Sequence, residues 1–404
     1  MKKGRKPAPR PIRWLGIIVV VFLLISVSPA AVEVVPTIPV ETTLDYAGTR
    51  NAADTWVDMI NGAKKTLDLA QFYLSTKENE PLEPVITAVI NAANRGVKVR
   101  LLVGTPVNDS MAERTGAVTK RFDGHDNIAV TNFDWKELTG GILHAKYFIV
   151  DRREVFVGSQ NFDWRSLKHI HETGLRIKSR SIARALTRIF EADWQFNNGD
   201  KEVYKKIKKQ KPVTFGKENF LVAAPGDYNP PGVKDALLTL VRLIDEAQKR
   251  ITIQLLKYRT DIYKSPEKFT HIDNALRRAA ARGVAIKMVV SDWNKHAPEV
   301  TGLQALAKVP GIQIKFATIP AYSKGFIPYA RVIHSKVMRI DEGICWVGTS
   351  NWGYRYFYNS RNVEVVSHNR QAAKILDRLF DELWNSAYTY PVDPEKEYKP
   401  PKVN

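Results

Sequence analysis

Two stretches of this chain carry the same polar residues at the same spacing, on segments that are otherwise apolar. The first holds His144, Lys146, Asp151, Gly158, Ser159 and Asn161; the second holds His334, Lys336, Asp341, Gly348, Thr349 and Asn351. Both read His-x-Lys, four residues, Asp, six residues, then Gly-Ser/Thr-x-Asn. With each type at roughly 5% usage, one such set arises by chance on the order of once in 10^7 starting points. A histidine and a lysine two apart on a strand share a face, so an imidazole and an ammonium converge on one spot. Two sets facing each other put two imidazoles, two ammoniums and two amides around one anion. That is a receptor for phosphate with a nucleophile and an acid already in it. Lys146 and Lys336 supply the charge a metal would otherwise bring, so no metal or other cofactor is expected.

The elements that must position these residues are also written twice. AANRGVKVRLLV (92–103) and AAARGVAIKMVV (279–290) each end an apolar-striped helix, stop it at a glycine and begin a strand. The two motifs lie 190 residues apart, and so do RIFEADW (188–194) and RLFDELW (378–384). One constant offset is the mark of a duplication. The expected fold class is α/β: two tandem, similar α/β/α sandwich domains related by pseudo-twofold symmetry, with the site at their interface. The boundaries expected are 45–199 and 219–392, joined by a basic linker at 200–218.

Composition is consistent with this. The chain has 404 residues, 44% hydrophobic and 25% charged, which suits two globular domains rather than a disordered chain. A single cysteine, Cys345, excludes an intrachain disulfide and any zinc site needing two thiolates, and its apolar strand (ICWV) suits a small core residue. The formal charge is +19, but residues 1–13 and 201–217 hold +6 each, so the body is only moderately basic. The first excess precedes an apolar run, WLGIIVVVFLLISV (14–27), followed by Ser28-Pro29-Ala30-Ala31. Residues 1–31 therefore read as a secretory signal or as an N-terminal membrane anchor with its basic end inside; either places the rest outside the cytoplasm. The second excess, KEVYKKIKKQK, reads as a solvated linker helix or as a strip for phosphate groups of nucleic acid or lipid. Asn108-Asp109-Ser110 is a lone glycosylation sequon, meaningful only in a eukaryotic secretory pathway.

Over nearly all of its length after about residue 45 the chain resembles the phospholipase D superfamily, whose signature is this duplicated His-Lys-Asp motif. Within it, GSQNFDWRSL (158–167), RIFEADW and GTSNW (348–352) are similar to the membrane-anchored lysosomal phospholipase-D-like proteins, known as single-strand 5′ exonucleases and linked also to lysosomal phospholipid synthesis. Two features depart from that group: vertebrate members use several disulfides, and GYRYFYN (353–359) is more basic and aromatic than the resemblance implies. The resemblance implies that one histidine attacks phosphorus, while the other protonates the leaving oxygen and then activates water. Mapped here, His144 is the nucleophile and His334 the acid and base, with the reverse order the alternative. Lys146, Lys336, Asn161 and Asn351 would hold nonbridging oxygens, with Ser159 and Thr349 supporting the loop or the phosphate. Asp151 and Asp341 would be mainly structural members of the catalytic motif, near the strand ends.

A neutral nucleophile and a protonated acid require two histidines with separated pKa values. Glu172 and Glu364, both on the strand after the motif, are the expected carboxylates behind the two rings, 28 and 30 residues beyond them. His169 and His171 form an HxH, a weak metal signal alone and expected to be a non-ligand pair near the site. Trp164 and Trp352 either stack on substrate or pack at the domain interface. The function expected is a metal-independent phosphodiesterase acting on single-stranded nucleic acid. The alternative is a phospholipase D or phosphatidyltransferase acting on membrane phospholipid, and a non-enzymatic binding module would need a degraded motif that neither copy shows.

Overall fold

The structure, a computed structural model, describes residues 31–46 and 48–404, together with Met1 and Gly4. The apolar run at 14–27 lies outside the described residues, among which no helix is long and apolar enough to cross a membrane.

The first sheet has seven strands, in the order Ala31–Thr37, Glu172–Lys178, Glu154–Gly158, Lys146–Val150, Thr66–Gln71, Lys98–Gly104 and Ile128–Phe133. The second sheet repeats that series as Asn219–Ala224, Asn362–Ser367, Ile344–Gly348, Lys336–Ile340, Arg250–Leu255, Ala285–Ser291 and Ile312–Ala317, and adds Lys234–Asp235 and Thr389–Pro391 at its edges. The duplication is therefore structural as well as sequential. It also includes an element upstream of the residue-45 start expected from the sequence. Ala31–Thr37 pairs antiparallel with Glu172–Lys178 as Asn219–Ala224 pairs with Asn362–Ser367. Pro36 breaks its sequence pattern, and an edge strand is the place that tolerates a proline.

Helices with apolar stripes cover the outer faces. Ala52–Asn61, capped by the Asn51 side chain, and Leu82–Asn94 bury Trp56, Met59, Val85 and Val89 against Leu67, Leu69, Phe148 and Phe156. Ala236–Glu246, capped by Asp235, and His271–Ala281 do the same for the second sheet. The inner faces share one core. Ile149, Val155, Val157 and Leu175 of the first domain meet Val337, Cys345, Val347 and Val365 of the second within a single buried cluster. Two long helices complete this middle layer: Arg180–Asn197, capped by Ser179, and Arg370–Asn385, capped by Asn369. Each reaches the other domain's edge strand, the first packing on Asn219–Ala224 and the second on Ala31–Thr37. Burying the inner faces together is what holds the two motifs in register.

The basic segment between the domains is mostly docked. Val203–Ile207 is a short helix that buries Val203, Tyr204 and Ile207, with the Tyr204 hydroxyl donating to Asp193 at 2.9 Å. Its lysines stay in solvent and pair locally, Lys206 with Asp200 and Lys205 with Glu202.

One ion pair is sealed inside the domain interface. Arg361 and Asp193, both 0% exposed, meet at 3.0 Å, and the guanidinium lies over Trp135. The duplicate positions hold His171 and Leu383, so the pair belongs to one half of the pseudo-symmetric interface alone. Arg361→Met would strand a buried carboxylate and is expected to cost roughly 3–5 kcal/mol, read as a lower urea midpoint. Adding Asp193→Leu should restore most of it; a single variant that unfolds at the wild-type midpoint would show the pair to be unimportant.

Candidate active site

The histidines sit just before the strands Lys146–Val150 and Lys336–Ile340, in two segments that cross between domains. Leu143 bridges Arg361 and His171 bridges Ile333 in parallel register. Accordingly the His144 amide donates to the Arg361 carbonyl at 3.0 Å, and the His334 amide donates to the His171 carbonyl at 2.8 Å. Each motif is thus stitched to the opposite domain at the motif histidine itself.

The ring partners come from the opposite domain too, and they differ. His334 Nδ1 lies 2.8 Å from Glu172 Oε2. His144 Nδ1 lies 2.9 Å from Asn362 Oδ1. The Asn362 amide cannot be turned round: its Nδ2 donates to the carbonyls of Tyr356 at 2.9 Å and Ser360 at 3.3 Å, while Oδ1 also accepts from Thr349 Oγ1 at 2.8 Å. His144 must therefore donate from Nδ1, which leaves the Nε2 lone pair free in the neutral ring. Glu172 is held in turn by Ser166 Oγ at 3.0 Å.

This corrects the expectation for Glu364. It does not reach His144. Asn362 stands 190 residues after Glu172, whereas Glu364 is the counterpart of Gly174. Residues 362 and 364 share a strand face but lie about 7 Å apart along it. Glu364 folds over Gly348 and accepts from Ser350 Oγ; its other oxygen is buried without a partner. Burial pushes this carboxyl up to about 8, so it is largely neutral at pH 7. Gly348 has no room for a Cβ, which would stand 2.2 Å from Glu364 Cγ, and this close crossing explains the glycine of the second motif.

The remaining motif residues fall into two groups. Lys146 and Lys336 are 0% exposed, and each ammonium donates to the carbonyl of its own histidine. Asn161 and Asn351 have buried amide oxygens with no hydrogen-bond partner. Ser159 and Thr349 brace the turn, exchanging hydrogen bonds with Thr173 and with Asn362 and Val363 respectively. The aspartates stand at the other ends of the strands. Asp151 accepts the amides of Lys64, Lys65 and Thr66 at 2.7–3.0 Å, and Asp341 those of Gln248, Lys249 and Arg250 at the same distances. They pin the loop entering the neighbouring strand and touch neither histidine.

Sequence reasoning missed Asn362, Tyr356 and Phe72. The last two rings flank His144, with centroids 5.1 and 5.4 Å from it. Of the other marked residues, His171 Nδ1 contacts Ser335 Oγ at 3.2 Å, and His169 packs edge-on against Trp164 and Tyr322. No cluster of three metal-ligating side chains occurs among the described residues. Trp352 is buried against Trp346, and Trp164 is half-buried beneath Lys77.

The electrostatics follow from two cations and two rings closed off from water. Burial, reinforced by both lysines, holds His144 well below the usual imidazole range. Burial lowers His334 to about 4, although the Glu172 carboxylate pulls it upward. Burial likewise brings Lys336 down to about 7, against the upward pull of Glu172, and burial together with the opposing Lys336 ammonium brings Lys146 well down. Burial would raise Glu172, but His334 and Lys336 outweigh it and keep the carboxylate ionised. The site is a cage for an anion whose charge would draw Lys146, Lys336 and His334 toward their protonated forms, while His144, backed only by a neutral amide, has no counter-charge for an imidazolium.

Comparison with known proteins matches this architecture. The family described as "Cardiolipin synthase, PLD-like domain" is found twice, over residues 56–194 and 240–384. The chain belongs to the phospholipase D superfamily. Among curated relatives, the 5′-3′ exonuclease PLD3 of Bos taurus is 30% identical over 90% of this chain and 81% of its own length. Phospholipase D Z of Dictyostelium discoideum is 28% identical over 90% and 91%, and a probable phospholipase D of Caenorhabditis elegans is 28% identical over 86% and 68%. Among solved structures, the phosphatidylserine synthase of Haemophilus influenzae shares the fold, with TM-score 0.62 and 10% identity over 84% of this chain and 85% of that one. The chain is therefore a phospholipase-D-like phosphodiesterase, an enzyme that hydrolyses or transfers phosphodiesters.

Two outcomes test this account of the phospholipase D site. Groups whose pKa rises on anion binding take up protons. Inorganic phosphate titrated at pH 7, in buffers of different ionisation enthalpy, should show net uptake of about one proton or less, reduced in Lys336→Met. Identical heats in every buffer would rule out the cage of deprotonated cations. Separately, Glu172→Gln should lose on the order of a hundredfold in turnover, while Glu364→Gln stays within about twofold; equal losses would restore Glu364 to the site.

Proposed function

We propose that the chain hydrolyses single-stranded nucleic acid from the 5′ end, outside the cytoplasm, through a phosphohistidine formed on His144 and without a metal ion. The observation that carries the mechanism is the unequal pair of ring partners. A neutral amide behind His144 orients the ring but gives an imidazolium no counter-charge. A carboxylate behind His334 gives it one.

The steps balance as follows. His144 Nε2 attacks phosphorus, and the bond to the leaving oxygen breaks as that oxygen takes the proton from His334 Nε2. Water then gives a proton to His334 and attacks the phosphohistidine, the P–N bond breaks, and His144 returns neutral. Lys146, Lys336 and the Asn161 and Asn351 amides stabilise charge on the nonbridging oxygens. The two ammoniums stand where a metal would act, which supports metal independence. For the substrate, the support is the family resemblance of the motif segments together with the relatives named as 5′-3′ exonucleases. A second reading, phospholipid hydrolysis or transfer, draws on the cardiolipin synthase description of the matched family and on the relatives named phospholipase D.

Three comparisons check the proposal. In EDTA, wild type should release nucleotides stepwise from 5′-hydroxyl single-stranded DNA, while His144→Ala and His334→Ala lose on the order of 10^3-fold or more. Headgroup release from phosphatidylglycerol vesicles with DNA left intact would establish the lipid reading instead, and wild-type turnover in both alanine variants would overturn the two-histidine mechanism. The third comparison is of pH profiles. Asn362→Asp places a carboxylate behind the nucleophile and raises its pKa, so the acidic limb of kcat/KM should move to higher pH. Glu172→Gln removes support for the imidazolium of His334, so the basic limb should move to lower pH. Unchanged limbs in both variants would mean that the ring partners do not set the roles.

A further inference from the structure

Beside His144 lies a pocket of about 300 Å³ that the chemistry above does not use. Tyr356, whose ring packs on His144, forms its inner wall with Ile142 and Ser360; Tyr354, Tyr263 and Val107 form its rim. Tyr263 is 62% exposed and Val107 56%, which is unusual for large apolar side chains. Tyr354 is stacked on the exposed Tyr358 with ring centroids 4.6 Å apart. The basic and aromatic segment at 353–359 thus supplies much of this wall.

Three cations line the pocket, and two are already neutralised. Lys257 pairs with Glu299 at 3.3 Å, and Arg259 pairs with Asp261 at 2.5 Å. Arg355 is exposed, and its guanidinium has no hydrogen bond or ion pair among the described residues. The other half of the molecule shows what this arginine has lost. Its duplicate, Arg165, is buried and bound by Asp163 through both Nε and Nη2. Gly353 stands at the position of Asp163, so on this side the carboxylate is missing and the cation is left for something else.

The occupant must bring a flat apolar face for the tyrosines, about one negative charge for Arg355, and a connection to a phosphate at His144. The acids in the wall disfavour a polyanion. The volume is at the small end for ligand sites, enough for one nucleotide and too little for paired acyl chains. A nucleotide meets each condition, since aromatic rings stack on bases of any sequence and a guanidinium pairs with a phosphodiester.

We propose that this pocket is a nucleotide subsite, holding the nucleotide that flanks the scissile phosphate on the His144 side, its base against Tyr354 and Tyr263 and its phosphate on Arg355. The inference rests on the nucleic-acid reading and specifies where that substrate lies.

The test compares a 5′-hydroxyl oligothymidylate decamer with bis(p-nitrophenyl) phosphate, a diester that has no flanking nucleotide, and with phosphatidylglycerol vesicles. Arg355→Gln should raise KM for the decamer roughly tenfold. Gly353→Asp, which rebuilds the neutralising pair of the other half, should do the same. Its new Cβ would stand 3.3 Å from Arg259 Cβ, a contact relieved by a small shift. Tyr263→Ala should raise KM severalfold. In all three, kcat/KM for the decamer relative to that for bis(p-nitrophenyl) phosphate should fall by the same factor. Unchanged decamer KM values in an enzyme that digests DNA would overturn the subsite alone. Wild type that spares the decamer and cleaves the vesicles would overturn the nucleic-acid reading, and the subsite with it.

Discussion

Neither histidine of this site is completed by its own domain. The two parallel bridges at Leu143–Arg361 and His171–Ile333 fix each motif's backbone against the other half, and Asn362 and Glu172 reach across the same seam to the rings. The shared inner core and the two swapped helices, which pack onto the partner domain's edge strand, hold that seam closed. An error of an ångström at the interface would break the ring contacts before it disturbed either sheet. Domain packing and catalysis are therefore one constraint, and a buried ion pair such as Arg361–Asp193 bears on the site without touching substrate.

The seam also encloses charge that the fold alone does not satisfy. Two lysines without exposure and two histidines held below their ordinary range leave a space where protonation waits on an anion. The fold commits several polar groups near the site to other partners. Ser159 and Thr349 are spent on the turn, Ser166 on Glu172, and the motif aspartates on loop amides at the far strand ends. The Asn161 and Asn351 amide oxygens remain buried without a partner.

Much of this was legible in the sequence. The motif spacing and the constant 190-residue offset gave two like domains and the residues of the cage, because strands in register preserve spacing. Three things were less legible. Ala31–Thr37 falls almost wholly in the stretch between the leader-like segment ending at residue 31 and the domain start at 45, and an edge strand interrupted by Pro36 shows weak alternation. Glu364 is a carboxylate on the strand after the second motif, as Glu172 is after the first, but applying the same offset to Glu172 leads to Asn362, an amide, because the duplicated strand keeps the position and changes the chemistry. Phe72 and Tyr356 arrive at His144 by chain crossings that no local pattern reveals.

Those changes of chemistry at kept positions make the two halves of a symmetric fold unequal. A duplicated domain pair begins with equivalent histidines, whereas the two-step transfer proposed above needs one lone pair and one proton. Glu172 opposite Asn362 breaks the equivalence where the ring is held. Asp163 opposite Gly353 breaks it a few residues away, closing one flank of the site around Arg165 and opening the other around Arg355. Asp193 opposite Leu383 breaks it again at the base of the crossing segment. Each is a single exchange of a carboxylate against a neutral residue, and all three lie on or beside the segments that cross the seam. The backbone symmetry positions two like histidines, and Glu172 opposite Asn362 gives their rings different partners.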